Sequence, residues 1–120
     1  MFDIVSKLRQ SPAVRHLHVI DLIDEASAKY LRCRADIVDG STLHISESSI
    51  AGSSKYSYHW QNSQNQLIVR WDNAPHYSHL ASFPHHRHES GSVHECHRLT
   101  IDEVLEIIEK RLRISGTLAS

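Results

Sequence analysis

The sequence contains little cysteine and no long apolar run. Its two cysteines, Cys33 and Cys96, are too few for a disulfide framework. No apolar run approaches the roughly 20 residues that are needed to cross a bilayer, and the opening MFDIVSKLRQ lacks the apolar core of a signal peptide. These absences exclude a membrane partner at this stage and predict a protein of the reduced cytoplasm.

The sequence also lacks an excess of charge of either sign. Thirteen lysines and arginines against fourteen acidic residues leave a net charge of -1, which argues against holding nucleic acid by bulk electrostatics. Any nucleic-acid site is therefore expected to be local. The compositional anomaly is the 11 histidines, because a small drop in pH below their ordinary pKa of about 6.5 adds several positive charges.

The length of 120 residues and the hydrophobic content of 40% predict a single domain over residues 1–120. Period-two alternation between turn residues is typical of half-buried strands, and the Asp39-Gly40 pair is a strong hairpin turn. Short connections indicate antiparallel neighbours. About five strands are predicted, over residues 17–24, 29–38, 42–47, 55–61 and 66–72.

Two helices are predicted to flank these strands. The opening segment places Phe2 and Val5 on one face of a short N-terminal helix. Residues 100–113 form the C-terminal helix, in which Thr100 is the N-cap and Glu103 completes a capping box. Its apolar stripe needs a surface to cover, so the predicted fold is α+β, an antiparallel β-meander packed against this helix.

Alternation also assigns side chains to the two faces of the predicted sheet. The expected core face contains Leu31, Cys33, Ala35, Ile37, Leu43, Ile45, Leu67, Val69 and Trp71, with the fourth-strand aromatics Tyr56, Tyr58 and Trp60. The opposite, polar face has a basic bias and contains Arg32, Arg34, His44, His59, Arg70 and Asp72.

Residues 73–98 show no periodicity and are predicted to be a histidine-rich loop, stiffened by Pro75 and Pro84. The string RWDNAPHYSHLASFPHHRH, residues 70–88, places five histidines within nineteen residues. A loop of this length is usually functional or mobile, so this segment is the expected functional centre.

These strings resemble the TumE-like family of bacterial toxins. The resemblance rests on RWDNAPH at a strand end, on FPHHRH after it, on YSYHWQ before it and on the capped terminal helix. It covers roughly residues 17–111 and departs from the family at SVHECHRLT, where an acidic stretch is more typical. It implies a growth-inhibiting toxin whose partner is a cognate antitoxin that binds and silences it.

The resemblance does not supply the molecular target, so three hypotheses for the chemistry remain. The first hypothesis is that the protein cleaves RNA as its substrate without a cofactor. Attack by the 2′-hydroxyl needs a base, an acid and a cation, roles that suit histidine and arginine. Arg70 is assigned to the phosphate and Asp72 to orienting a histidine, unless Asp72 only starts a turn and Arg70 pairs with a carboxylate. The other candidates are His59, His76, His85 and His88 for proton transfer, and Asn73 for transition-state donation or for holding the turn.

The second hypothesis is a metal site that holds zinc or manganese. An i, i+3 spacing lets two imidazoles reach one ion, but the sequence has no HExxH and no paired CxxC motif. The alternative is that these histidines are solvent-facing loop residues. The candidate ligands are His76, His79, His85 and His88, with His94, Cys96 and His97 as further donors.

The third hypothesis is a non-catalytic docking surface for the antitoxin or for nucleic acid. Trp60, Trp71 and Tyr77 are candidate anchors or stacking platforms, although the tryptophans also fit a core. An exposed edge strand favours pairing with an antitoxin or formation of a homodimer.

Overall fold

The computed structural model describes residues 1–119, which form two helices and seven strands. The elements in chain order are α1 (Phe2–Gln10), β1 (Val14–Asp24), β2 (Ala28–Ile37), β3 (Thr42–Ile50), β4 (Ser53–Gln61), β5 (Leu67–Asp72), β6 (His86–Glu89), β7 (Ser92–Glu95) and α2 (Ile101–Ile114). Every neighbouring pair of strands is antiparallel, and the strands follow one another across a single sheet in chain order. The predicted α+β class and antiparallel meander are confirmed.

The sheet has seven strands rather than the five that were predicted, because β6 and β7 lie inside the segment that was expected to be a loop. Ser90 and Gly91 form the tight turn between them, both with positive φ, which matches the twist of a two-residue hairpin. The Ser-Gly pair is the local sequence signal of this hairpin turn, which period-two alternation does not detect. The irregular segment therefore ends at residue 85, and β1 and β7 are the edges of the sheet.

The strands β3 and β4 are also longer than expected. Their register continues from Thr42↔Gln61 to Ile50↔Ser53, which leaves only Ala51 and Gly52 in the turn. Both turn residues have positive φ, as a two-residue hairpin turn requires. Serine-rich sequence at the strand ends concealed this extension, because serine has no strong preference for a buried face.

One face of the sheet is apolar and packs against α2. The predicted core positions of β2, β3 and β4 are all buried, and so are Val69 and Trp71 of β5. Leu67 was wrongly assigned to this core, since it is 46% exposed at the start of β5. The helix contributes Ile101, Val104, Leu105, Ile108 and Leu112 to the same core.

The start of α2 is fixed by the predicted capping box. Thr100 accepts from the Glu103 backbone N–H, and the Glu103 carboxylate accepts from the Thr100 backbone N–H. These bonds satisfy two backbone donors that a helix N-terminus leaves free. Within residues 1–119, no helix is both long and apolar enough to span a membrane.

The packing of α2 on the sheet predicts an asymmetric response to isoleucine truncation. Ile108 has no exposed surface, so Ile108→Ala should lower the free energy of unfolding by about 2–5 kcal/mol, as removal of buried methylenes does. The matched control is Ile114→Ala in the last turn of α2, where the side chain is 78% exposed. Its effect should stay within about 0.5 kcal/mol. Urea denaturation followed by circular dichroism measures both values, and equal losses would contradict this packing.

Candidate functional site on the polar face of the sheet

A row of basic and histidine side chains crosses the sheet on the face opposite α2. Each member is the cross-strand partner of the next, so the row runs perpendicular to six successive strands. From β1 to β6, this basic row consists of His18, Arg34, His44, His59, Arg70 and His88.

The centre of the basic row lies in a groove with a volume of about 540 Å³. A second cleft of about 600 Å³ continues past the ends of β4 and β5, and Arg70 and Ser57 line both. A strand spacing of about 4.8 Å places Arg34 and Arg70, three strands apart, about 14 Å from each other. The polar face therefore presents an extended, locally cationic surface on a protein with a net charge of -1.

Two carboxylates hold the arginines of the basic row in place. Arg70 Nε donates to Asp72 Oδ2 over 2.9 Å, and Arg34 Nε lies 3.3 Å from Asp36 Oδ1. The hydrogen bond from His18, together with the charge of Arg34, holds the pKa of Asp36 below its ordinary value. Because both arginines meet their carboxylates through Nε, the terminal amino groups of Arg34 and the Nη2 group of Arg70 remain available to a further anion.

His44 and His59 form a pair between the two arginines, with ring centroids 6.1 Å apart. Burial lowers the pKa of both imidazoles below 6.5; the charges of Arg34 and Arg32 add to this at His44, and those of Arg70 and His44 at His59. Both rings are therefore neutral at pH 7. Arg70 Nη1 lies 3.2 Å from His59 Nδ1, and since arginine can only donate, Nδ1 accepts and Nε2 carries the proton.

A second cluster lies beside the basic row, where β5 ends and β6 begins. His86 Nε2 lies 2.9 Å from Asp72 Oδ1, and His88 Nε2 lies 3.6 Å from Asp72 Oδ2. The Tyr77 ring covers the cluster edge-on, with its centroid 4.8 Å from that of His86 and 5.7 Å from that of His88. The segment before β6 thus folds over the end of β5.

Asn73 and His76 lie at this end of the sheet but do not join the cluster. Asn73 Oδ1 accepts from the Tyr56 backbone N–H, and its Nδ2 donates to the Ser54 carbonyl. Both groups of the amide are thus used to fasten the end of β5 to β4. His76 lines the larger cleft together with Arg70.

His85 lies away from the other candidates. Its Nδ1 is 2.9 Å from the hydroxyl of Tyr56, a core-face residue, and burial, with the nearby Arg98 charge, lowers its pKa. His85 and His88 therefore do not face one ion. His76 and His79 are exposed and each meets Tyr77 edge-on, and among residues 1–119 neither belongs to the group of three close ligand residues, which contains Asp72, His86 and His88.

The remaining candidates are used elsewhere in the fold. His97 Nε2 lies 3.5 Å from Glu103 at the start of α2, and His94 lies near the Glu89 carbonyl. Burial raises the pKa of the Cys96 thiol, which disfavours a thiolate ligand. Trp60 and Trp71 are buried in the core and cannot serve as stacking platforms.

His86 is the site residue that sequence analysis missed. It is 2% exposed and points to the polar face together with His88, two positions along β6. The pattern His86-x-His88 carries this information only once a strand is known to pass through it, because i, i+2 residues share a face in a strand. Because the sequence predicts a loop over residues 73–98, it does not indicate that His86 and His88 share one face of a strand.

Comparison with protein-family models matches residues 4–112 to the family described as Toxin TumE. The match covers most of the chain, including every element from β1 to β7 and nearly all of α2. No curated protein and no solved structure matches the chain.

The contact between Arg70 and His59 predicts a change in histidine titration. Arg70→Gln removes a positive charge and a donor from His59 Nδ1, so the pKa of His59 should rise toward 6.5. The chemical shifts of the imidazole protons against pH measure this change. Arg113→Gln on α2 removes the same charge remote from the sheet's polar face and is the control.

The free energy of unfolding should decrease as the pH falls below about 6.5. The pKa values of His44 and His59 are lower in the folded protein, so on acidification the unfolded chain takes up protons at a higher pH than the folded one does. The contribution of these two histidines to folding stability is complete above pH 6.5 and is lost as the pH falls from there through the folded pKa values.

For the Arg70→Gln variant, a His59 pKa that does not rise would contradict the assigned contact between Arg70 and His59.

Proposed function

The chain belongs to the TumE toxin family, as a toxin of a toxin–antitoxin system, and from that premise we propose that it inhibits growth by cleaving RNA. The cognate antitoxin is its partner. One observation carries the proposed activity: two adjacent, half-buried histidines lie between two arginines in a cationic groove. This combination supplies both proton-transfer groups and the cations that cleavage at a phosphodiester requires.

The arginines bind the backbone of the RNA. Arg34 and Arg70 flank the histidine pair, and Arg32 lines the same groove. Guanidinium groups bind phosphate through two parallel N–H donors, and an arginine that is already oriented loses less conformational entropy on binding. Asp72 is a positioning residue in this scheme, because it holds Arg70 through Nε and leaves Nη2 to the phosphate, while Nη1 contacts His59 until the phosphate binds.

The histidines move the protons. His44 is neutral at pH 7 and lines the groove, so one of its ring nitrogens can take the proton of the 2′-hydroxyl. The 2′-oxygen then attacks phosphorus, the bond from phosphorus to the 5′-oxygen breaks, and protonated His59 gives its proton to that oxygen. The products are a 2′,3′-cyclic phosphate and a 5′-hydroxyl.

Arg70 couples phosphate binding to the protonation of His59. In the free protein, Arg70 Nη1 donates a hydrogen bond to His59 Nδ1, and the charge of Arg70 helps to lower the pKa of that imidazole. A bound phosphate draws the guanidinium to itself and adds negative charge near the ring. Both effects favour the imidazolium form that an acid catalyst needs.

Purified protein and a defined single-stranded RNA test this activity. Wild type should cleave and leave 2′,3′-cyclic phosphate and 5′-hydroxyl ends, which end-specific ligation and phosphorylation identify. His44→Ala and His59→Ala should each lower the cleavage rate by about 10²–10⁴-fold, the usual contribution of a positioned acid or base. Arg70→Ala should weaken RNA binding as well as cleavage.

The matched control is His97→Ala, which removes an exposed histidine beside α2. Its cleavage rate should equal that of wild type. Ends that carry a 5′-phosphate would contradict the mechanism, because they require attack by water rather than by the 2′-hydroxyl. RNA binding without cleavage would reduce the protein to a docking module, the non-catalytic alternative.

A further inference from the structure

The cluster of Asp72, His86 and His88 carries an inference beyond RNA cleavage. Among residues 1–119, these three form the one group of three or more His, Cys, Asp or Glu whose ligand atoms all lie within 4.8 Å of one another. We propose that they bind one divalent transition-metal ion, with zinc as the best fit. None of the loop pairs considered from the sequence forms this set.

The environment of His86 calls for positive charge at its Nε2, from a metal ion or a proton. Its Nδ1 lies 3.0 Å from the Pro84 carbonyl, which can only accept, so Nδ1 carries a proton. In the neutral ring, Nε2 therefore presents a lone pair, and it faces Asp72 Oδ1 at 2.9 Å. Two lone pairs at that distance repel each other unless a proton lies between them or a metal ion binds both.

No hydrogen bond of acceptable geometry accounts for the short distance between His86 Nε2 and Asp72 Oδ1. His86 Nε2 is buried and makes no hydrogen bond of acceptable geometry to any described residue, although the carboxylate is near. A buried polar atom without a partner costs about 1–3 kcal/mol, so such atoms call for a specific explanation. A metal ion at this lone pair supplies one.

The distances between the ligand atoms fit a coordination sphere. Bonds of about 2.1 Å separate two ligand atoms by about 3.0 Å at a right angle and by about 3.4 Å at a tetrahedral angle. The two observed separations, 2.9 Å from His86 Nε2 to Asp72 Oδ1 and 3.6 Å from His88 Nε2 to Asp72 Oδ2, lie close to these values. The three ligand atoms lie within 4.8 Å of one another, so rotation of the side chains would bring them around one ion, with one or both oxygens of Asp72 as ligands.

The groups behind the ligands are those that orient a metal site. The Pro84 carbonyl fixes the His86 tautomer, as the outer partner of a metal-bound histidine does. The Ala74 backbone N–H donates to Asp72 Oδ1 and Arg70 Nε to Oδ2, which holds the carboxylate plane. Tyr77 covers the two imidazoles and limits their access to water.

The ligand types select the metal. Two imidazoles and one carboxylate suit zinc and its neighbours in the first transition series, whereas calcium and magnesium prefer all-oxygen sites. Three protein ligands leave at least one position for water. The ion would join the end of β5 to β6. Its binding needs neither RNA nor the His44–His59 pair.

Calorimetric titration of zinc into the tag-free, chelator-treated full-length protein tests the site without any RNA. Wild type should bind one zinc ion per chain, and Co²⁺ should give the visible absorption of a low-symmetry nitrogen and oxygen site. His88→Asn should weaken zinc binding by about 100-fold or more, beyond the loss typical of an outer-shell change. Zinc should also raise the melting temperature of wild type and not of His88→Asn.

The matched control is the double variant His76→Ala/His79→Ala, which removes two exposed histidines of the same segment. It should bind zinc as wild type does. Wild type that takes up no stoichiometric zinc would overturn the proposal and leave a proton between His86 and Asp72. Zinc binding that is lost in the double variant but kept in His88→Asn would also overturn it.

Circular dichroism establishes whether His88→Asn folds. If it does not, the imidazole resonances of wild type decide instead: zinc should shift those of His86 and His88 and leave that of His97 in place. Shifts confined to the exposed histidines would overturn the proposal. The zinc proposal and the proposed function can fail separately. RNA cleavage without zinc binding would overturn only the zinc proposal, and zinc binding without RNA cleavage would overturn only the proposed function.

Discussion

Burial of the apolar sheet face against α2 holds the strands β2 to β5 in a single register. A shift of one residue in any strand pair would turn its core side chains to solvent and bring residues such as Arg70 into the core. Apolar burial is the largest favourable contribution to folding, so it can fix the register against such slips. The same register aligns the basic row.

Placing like charges opposite each other in a sheet is unfavourable, and the structure limits that cost in two ways. Asp36 and Asp72 each neutralise an arginine of the row. Partial burial keeps His44 and His59 uncharged at neutral pH, so the centre of the row carries less charge than its composition suggests. A site that is ready for an anion is thus tolerated in the free protein.

Asp72 connects the two candidate sites. One carboxylate oxygen orients Arg70 for the basic row, and the other faces His86 in the proposed metal cluster. The residue is buried because the segment before β6 folds over the end of β5. The functional region is therefore a junction between a groove on the sheet and a short covered pocket beside it.

Alternation in the sequence was sufficient to predict the strands of the meander, most of the core and the basic bias of the polar face, and helical spacing with the capping box predicted both helices. It placed Arg34, His44, His59 and Arg70 on one face, because side-chain direction in a strand has a period of two. It failed for residues 73–98, where β6 and β7 are only four residues long each. Four residues give too few repeats for a period to stand out.

The sequence by itself thus determined which face most residues of β2 to β5 occupy and where α2 begins, since those features depend on neighbours within a few residues. The partners of the histidines were decided by tertiary structure alone. His85 and His86 are adjacent in sequence, yet one contacts Tyr56 and the other Asp72. That separation follows from how a distant segment crosses the sheet, which no local pattern encodes.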